Sequence, residues 1–98
     1  MNMPPHTRDI PPVDLDALAR LFRRAARNGV TAGLLRELFT PNELHDLCLR
    51  LRLLRMLQHG ASQRGIAAAL GISLCKVTRG SRILKEPDSV VKTLVKKK

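Results

Sequence analysis

The chain has 98 residues, enough for one modest domain, and carries 18 Lys and Arg against 8 Asp and Glu, a formal net charge of +10. That excess suits a polyanionic partner, nucleic acid before an anionic membrane surface. Two Phe and no Tyr or Trp argue against RNA recognition by base stacking, and no apolar run approaches the ~20 residues of a membrane span.

Residues 1–13 hold four of the six prolines and read as a flexible N-terminal arm. The opening MNMPPHTRDIPP lacks the apolar core of a signal peptide, so a bacterial cytoplasm is the expected compartment. Cys48 and Cys75 form no CxxC and no metal-ligand grouping with His6, His45 or His59. A reducing compartment, no disulfide and no metal are therefore expected.

From Asp14 the pattern turns helical. Leu15, Leu18, Leu21 and Phe22 share one face, and Asn28-Gly29 is a stop signal. Thr31 is placed to cap a short second helix whose apolar residues are Leu34, Leu35, Leu38 and Phe39. Thr40-Pro41-Asn42-Glu43 is the strongest helix start in the chain, with a Thr cap, Pro at the first helical position and Glu three residues after the cap. This third helix is expected to run to about His59, before Gly60. One apolar stripe on it is Leu44, Leu47, Cys48, Leu51 and Leu54; another is Leu49, Leu53 and Met56. A helix apolar on two sides must be buried on two sides. In so small a chain this predicts a homodimer, with the third helix packed against its own subunit and a partner.

Ser62 is placed to cap a fourth helix reaching Leu70, Gly71 turns the chain, and Ser73 caps a fifth helix to about Lys85. Pro87-Asp88 is expected to open a sixth, with Val90, Val91, Leu94 and Val95 on one side. Lys96, Lys97 and Lys98 suit the negative end of its dipole. With no strand-like alternation, the fold class is all-α.

The fourth and fifth helices carry the functional motif. Within Gln63–Ile83, Gly71 follows Ala67 by four residues and Val77 follows Gly71 by six, with Ile66, Leu70 and Ile72 the aliphatic residues around them. A small residue lets the helices approach, glycine accepts the positive φ of a tight turn, and the aliphatic set fixes the crossing angle. This is helix-turn-helix spacing, over about residues 62–85; an ordinary helical hairpin with a glycine turn shares it. In the first reading the fifth helix enters the major groove of duplex DNA. Ser73, Leu74, Cys75, Lys76 and Thr78 are then the candidates for base edges. Gln63 and Arg64 stand at the start of the fourth helix, and they, with Arg82 and Lys85, are candidates for phosphate. Leu74 and Cys75 offer apolar contact rather than hydrogen bonds, so water and DNA shape are expected to share in recognition.

Gly80 breaks the motif, because an apolar core residue is usual three positions after Val77. Glycine inside a helix costs ~1 kcal/mol relative to Ala. Either two helices pack closely there, or a flat ligand finds a slot with Arg79 beside it.

At these residues the chain resembles the Trp repressor family. The matching stretch is roughly residues 38–85, through LFTPNE, LRLRLL, ASQRGIAAALGIS and KVTRGSRILK, and nearly the whole chain fits the family's six-helix order. The resemblance implies an intertwined homodimer that binds operator DNA when L-tryptophan, the corepressor, fills a pocket beside the recognition helix. It assigns that pocket to Thr40, Arg50, Arg79 and Gly80. The two arginines would sandwich the indole, one of them pairing the carboxylate, while the glycine makes room. Otherwise Arg50 is a solvated charge and Arg79 a phosphate contact. Three positions depart from the family pattern. Ile83 replaces a Ser that helps hold the ligand's amino group, the link from Arg50 to Ser62 is one residue shorter, and Gly65 replaces an acidic residue of a capping box. The shorter link resembles a related branch of Trp repressor-like regulators.

The leading expectation is a tryptophan-responsive repressor of tryptophan-related genes. The alternatives are a regulator of the same fold with another ligand or none, and a basic helical interaction module that does not read DNA specifically. No nucleophile with a paired base and no phosphate loop is present in the sequence, so an enzyme is not expected.

Overall fold

The computed structural model describes residues 10–95. Among them are six helices and no strand: α1 (Pro12–Arg27), α2 (Thr31–Leu38), α3 (Pro41–Gln58), α4 (Gln63–Leu70), α5 (Leu74–Lys85) and α6 (Val90–Leu94). No helix among the described residues is long and apolar enough to cross a membrane. The chain divides into two compact units, the first ending at Thr40 and the second beginning at Pro41.

In the first unit α1 packs on α2. Most of the expected arm lies outside the described residues, but Pro12 and Val13 already belong to α1, which starts two residues before Asp14. Proline at a first helical position loses no hydrogen bond and brings a helical φ with it. Thr31 does not cap α2. It is the first helical residue, Val30 holds the cap position, and no side chain bonds the free amides there. The turn after α1 sets this register: the Val30 amide donates to the Ala25 carbonyl at 2.9 Å, and the Val30 carbonyl accepts the first helical bond, from the Leu34 amide at 3.0 Å, which leaves Thr31 inside the helix. The apolar face of α1 is left largely open. Val13, Leu15, Leu18 and Leu21 are 68%, 52%, 41% and 40% exposed, and only Ala25 is buried.

The second unit holds the main core. Ile66 of α4 and Val77 of α5 are fully buried with Leu53 of α3, and Leu54, Met56, Leu57, Ala67, Leu70 and Ile72 close around them. The two stripes of α3 meet different fates: Leu53 is buried, whereas Leu51 and Cys48 remain exposed. α3 ends at Gln58, one residue before the expected His59. The Gln58 amide then donates to the carbonyl of Val95 at 2.9 Å, tying the end of α3 to the residue that follows α6. α6 begins at Val90, not at Pro87-Asp88. Ser89 caps it, its Oγ accepting from the Lys92 amide at 3.1 Å, whereas Pro87 and Asp88 form a turn. Lys96, Lys97 and Lys98 lie outside the described residues.

A candidate nucleic-acid interface and the cavity behind it

α4 and α5 are bounded by the signals expected of them. Ser62 Oγ accepts from the Gly65 amide at 3.0 Å, and Ser73 Oγ from the Lys76 amide at 3.3 Å. Between the helices Gly71 adopts φ 65°, a left-handed conformation that costs glycine nothing. Its amide and that of Ile72 both return to the Ala67 carbonyl, so the turn closes on the last turn of α4.

Helical periodicity sorts α5 into three faces. Val77 and Gly80 point into the core and are buried. Leu74, Cys75, Thr78, Arg82 and Lys85 lie on the side away from them, and all but Thr78 are exposed. Lys76, Arg79 and Ile83 form a third row, which borders a cavity. The Thr78 hydroxyl donates to Oε1 of Gln63 at 3.0 Å, joining α5 to the first residue of α4. In that orientation the Gln63 NH₂ group keeps two donors for another partner. Arg64, next along α4, is exposed.

The cavity has a volume of about 300 Å³ and lies wholly within the second unit. That is the lower end of the range for small-molecule sites. α3 contributes Asp46, Leu49, Arg50, Leu53 and Leu54; α5 contributes Lys76, Arg79, Gly80 and Ile83; Ile72 of the turn completes the wall. Arg50, Arg79 and Gly80 thus come together. Thr40, immediately before α3, is not part of this lining.

Gly80 serves close packing as well as the cavity. A Cβ there would stand 2.5 Å from Leu53 Cδ1, with Leu57 Cδ1 at 3.4 Å and Leu54 Cδ2 at 3.5 Å. The missing side chain therefore lets α5 approach α3, and the cavity lies beside the glycine rather than in the place of its side chain. Two wall residues were not legible as such in the sequence. Lys76, expected at base edges, stands on the cavity side with Arg79, and Asp46 brings a carboxylate into an otherwise cationic and apolar wall. Only the spacing of Asp46 four residues before Arg50, on one face of α3, hints at this.

Comparison with known proteins agrees with this architecture. Residues 13–98 match a family model described as Trp repressor protein. The chain is 33% identical over 93 residues to a Trp operon repressor homolog of Photobacterium profundum, covering 94% of this chain and 88% of that protein. A Trp operon repressor homolog of Vibrio campbellii is 34% identical over 84 residues, covering 85% of this chain and 84% of that protein. One from Xylella fastidiosa is 37% identical over 62 residues, covering 62% of this chain and 65% of that protein.

Proposed function

The chain belongs to the Trp repressor family, and on that premise we propose that it is a homodimeric, sequence-specific DNA-binding repressor whose hold on its operator is set by L-tryptophan. The protein works in the cytoplasm, and it binds rather than catalyses. α4 and α5 act as a helix-turn-helix, with α5 in the major groove. Leu74, Cys75 and Thr78 face the base edges, Ser73 stands at the cap, and Arg64, Arg82 and Lys85 meet phosphates, with the Gln63 NH₂ beside them.

The observation that carries the reading is that one helix serves two surfaces. α5 presents Arg82 and Lys85 outward while its Arg79, Gly80 and Ile83 wall the cavity. A ligand in the cavity therefore lies directly behind the helix that meets DNA. It shifts affinity by fitting the DNA-competent placement of that helix better than any other. Arg50 and Arg79 on the wall supply cations for a carboxylate and flat guanidinium faces for an indole. Thr40, assigned from the family pattern, adds a hydrogen bond. The exposed apolar face of α1 and the exposed Leu51 of α3 are covered in the dimer by a second copy of the chain.

The chain has no Trp or Tyr of its own, so the indole emission of added L-tryptophan is unobscured. Titrating the dimer into L-tryptophan and following the ligand's fluorescence anisotropy tests the pocket directly. A saturable rise that Arg50→Ala and Arg79→Ala each weaken at least tenfold is expected. A flat titration would leave the second reading, a regulator of the same fold with another ligand or none. Ile83 favours that reading, since its aliphatic chain on the wall cannot bond an amino group.

A further inference from the structure

The charges on the cavity wall are unequal: three cations, Arg50, Lys76 and Arg79, face one carboxylate, Asp46. Cations beside aliphatic side chains suit an apolar acid. Asp46 does not, since it would repel the carboxylate of such a ligand. Among the described residues no hydrogen bond or ion pair engages the side chain of Asp46. Its neighbour on the same face of α3 is Arg50, one helical turn on, and positions so related have Cβ atoms about 5–6 Å apart. This places a negative and a positive group side by side on the wall of a chamber whose apolar lining is Leu49, Leu53, Leu54, Ile72 and Ile83.

An α-amino acid carries its ammonium and its carboxylate on one carbon, so a site that holds both needs opposite charges next to each other. The geometry points to Asp46 as the residue that receives the ligand's α-ammonium, while the carboxylate meets Arg50 or Arg79. Asp46 is then the specificity-determining group that selects a zwitterionic amino acid over the corresponding deaminated acid. It takes the place of the amino-group partner that Ile83 cannot be. The inference rests on the proposed ligand site and deepens it.

The test compares L-tryptophan with indole-3-propionate, which keeps the indole and carboxylate and lacks the ammonium. Both are titrated calorimetrically into the full-length wild type and into Asp46→Asn. Asp46 is exposed, so the substitution leaves the fold intact, and an unchanged thermal midpoint verifies this. Wild type is expected to prefer L-tryptophan by tenfold or more. Asp46→Asn should lose about tenfold for L-tryptophan while its affinity for indole-3-propionate holds or rises. If Asp46→Asn changes both affinities by the same factor, in either direction, the assignment of Asp46 is overturned while the tryptophan site stands. If wild type binds neither compound, the tryptophan reading itself fails and the role of Asp46 falls with it.

Discussion

The hydroxyl of Thr78 donates to the side-chain carbonyl of Gln63 at 3.0 Å, and this half-buried bond joins the middle of α5 to the first residue of α4. Two side chains that sequence reasoning sends separately to DNA are thus bonded to each other. The bond ties α5 to the start of α4, and it leaves both donors of the Gln63 NH₂ group for another partner. Thr78→Val keeps the shape and removes the donor, leaving the Gln63 oxygen to find water. A loss of about 1 kcal/mol of stability is expected, with weaker DNA binding that Thr78→Ser restores. Thermal unfolding and DNA titration of both variants check this.

Gly80 and Gly33 should respond to alanine with opposite signs. At Gly80 a methyl group meets Leu53 Cδ1 at 2.5 Å, and Leu53 is only 3% exposed, so it has little room to move. A loss of about 1–3 kcal/mol is expected from overpacking. At Gly33, inside α2, a Cβ meets nothing within 4 Å. There alanine should stabilise by about 0.5–1 kcal/mol through helix propensity and a less free unfolded chain. Chemical denaturation of the two variants reads the signs directly.

Leu51 tests the dimer. It is 43% exposed in the single chain, where a charged replacement would cost little. Buried against a second copy, an unpaired charge costs several kcal/mol. Sedimentation at low micromolar concentration should give twice the chain mass for wild type, and dissociated or unfolded material for Leu51→Glu. A well-folded wild-type monomer would contradict the dimer.

The outward side of α4 and α5 and the cavity side of α5 predict separable effects on DNA and ligand. Arg64→Ala and Arg82→Ala should weaken all DNA sequences alike and each lower the salt dependence by about one counterion. Lys76→Ala, on the cavity side, should alter ligand affinity more than sequence discrimination. Binding isotherms across a salt series, with and without ligand, separate these classes.

Much of the second unit is legible in the sequence because its signals are local. Ser62, Gly71 and Ser73 mark the ends of α4 and α5 through short-range hydrogen bonds and one positive φ, and the structure shows each of them. The misplaced starts of α2 and α6 are also local. Thr31 and Pro87 resemble helix openers, but the Val30 carbonyl already accepts the first helical bond, from the Leu34 amide, and Ser89 caps α6 directly before Val90. The cavity wall is a different matter. Which edge of α5 faces α3 depends on how the helices cross, and that follows from Gly80 fitting against Leu53. Motif spacing alone sends Lys76 to DNA and leaves Asp46 unremarked.

Control of sequence-specific DNA binding by a ligand in the cavity can be measured by selecting binding sites from a random duplex pool with and without millimolar L-tryptophan. The expected result is enrichment, only in the presence of L-tryptophan, of a two-fold symmetric sequence with half-sites about one helical turn apart. The same selection with Arg79→Ala should lose that dependence. Failure to enrich any sequence, or enrichment of the same sequence to the same extent without L-tryptophan, would contradict control by the ligand.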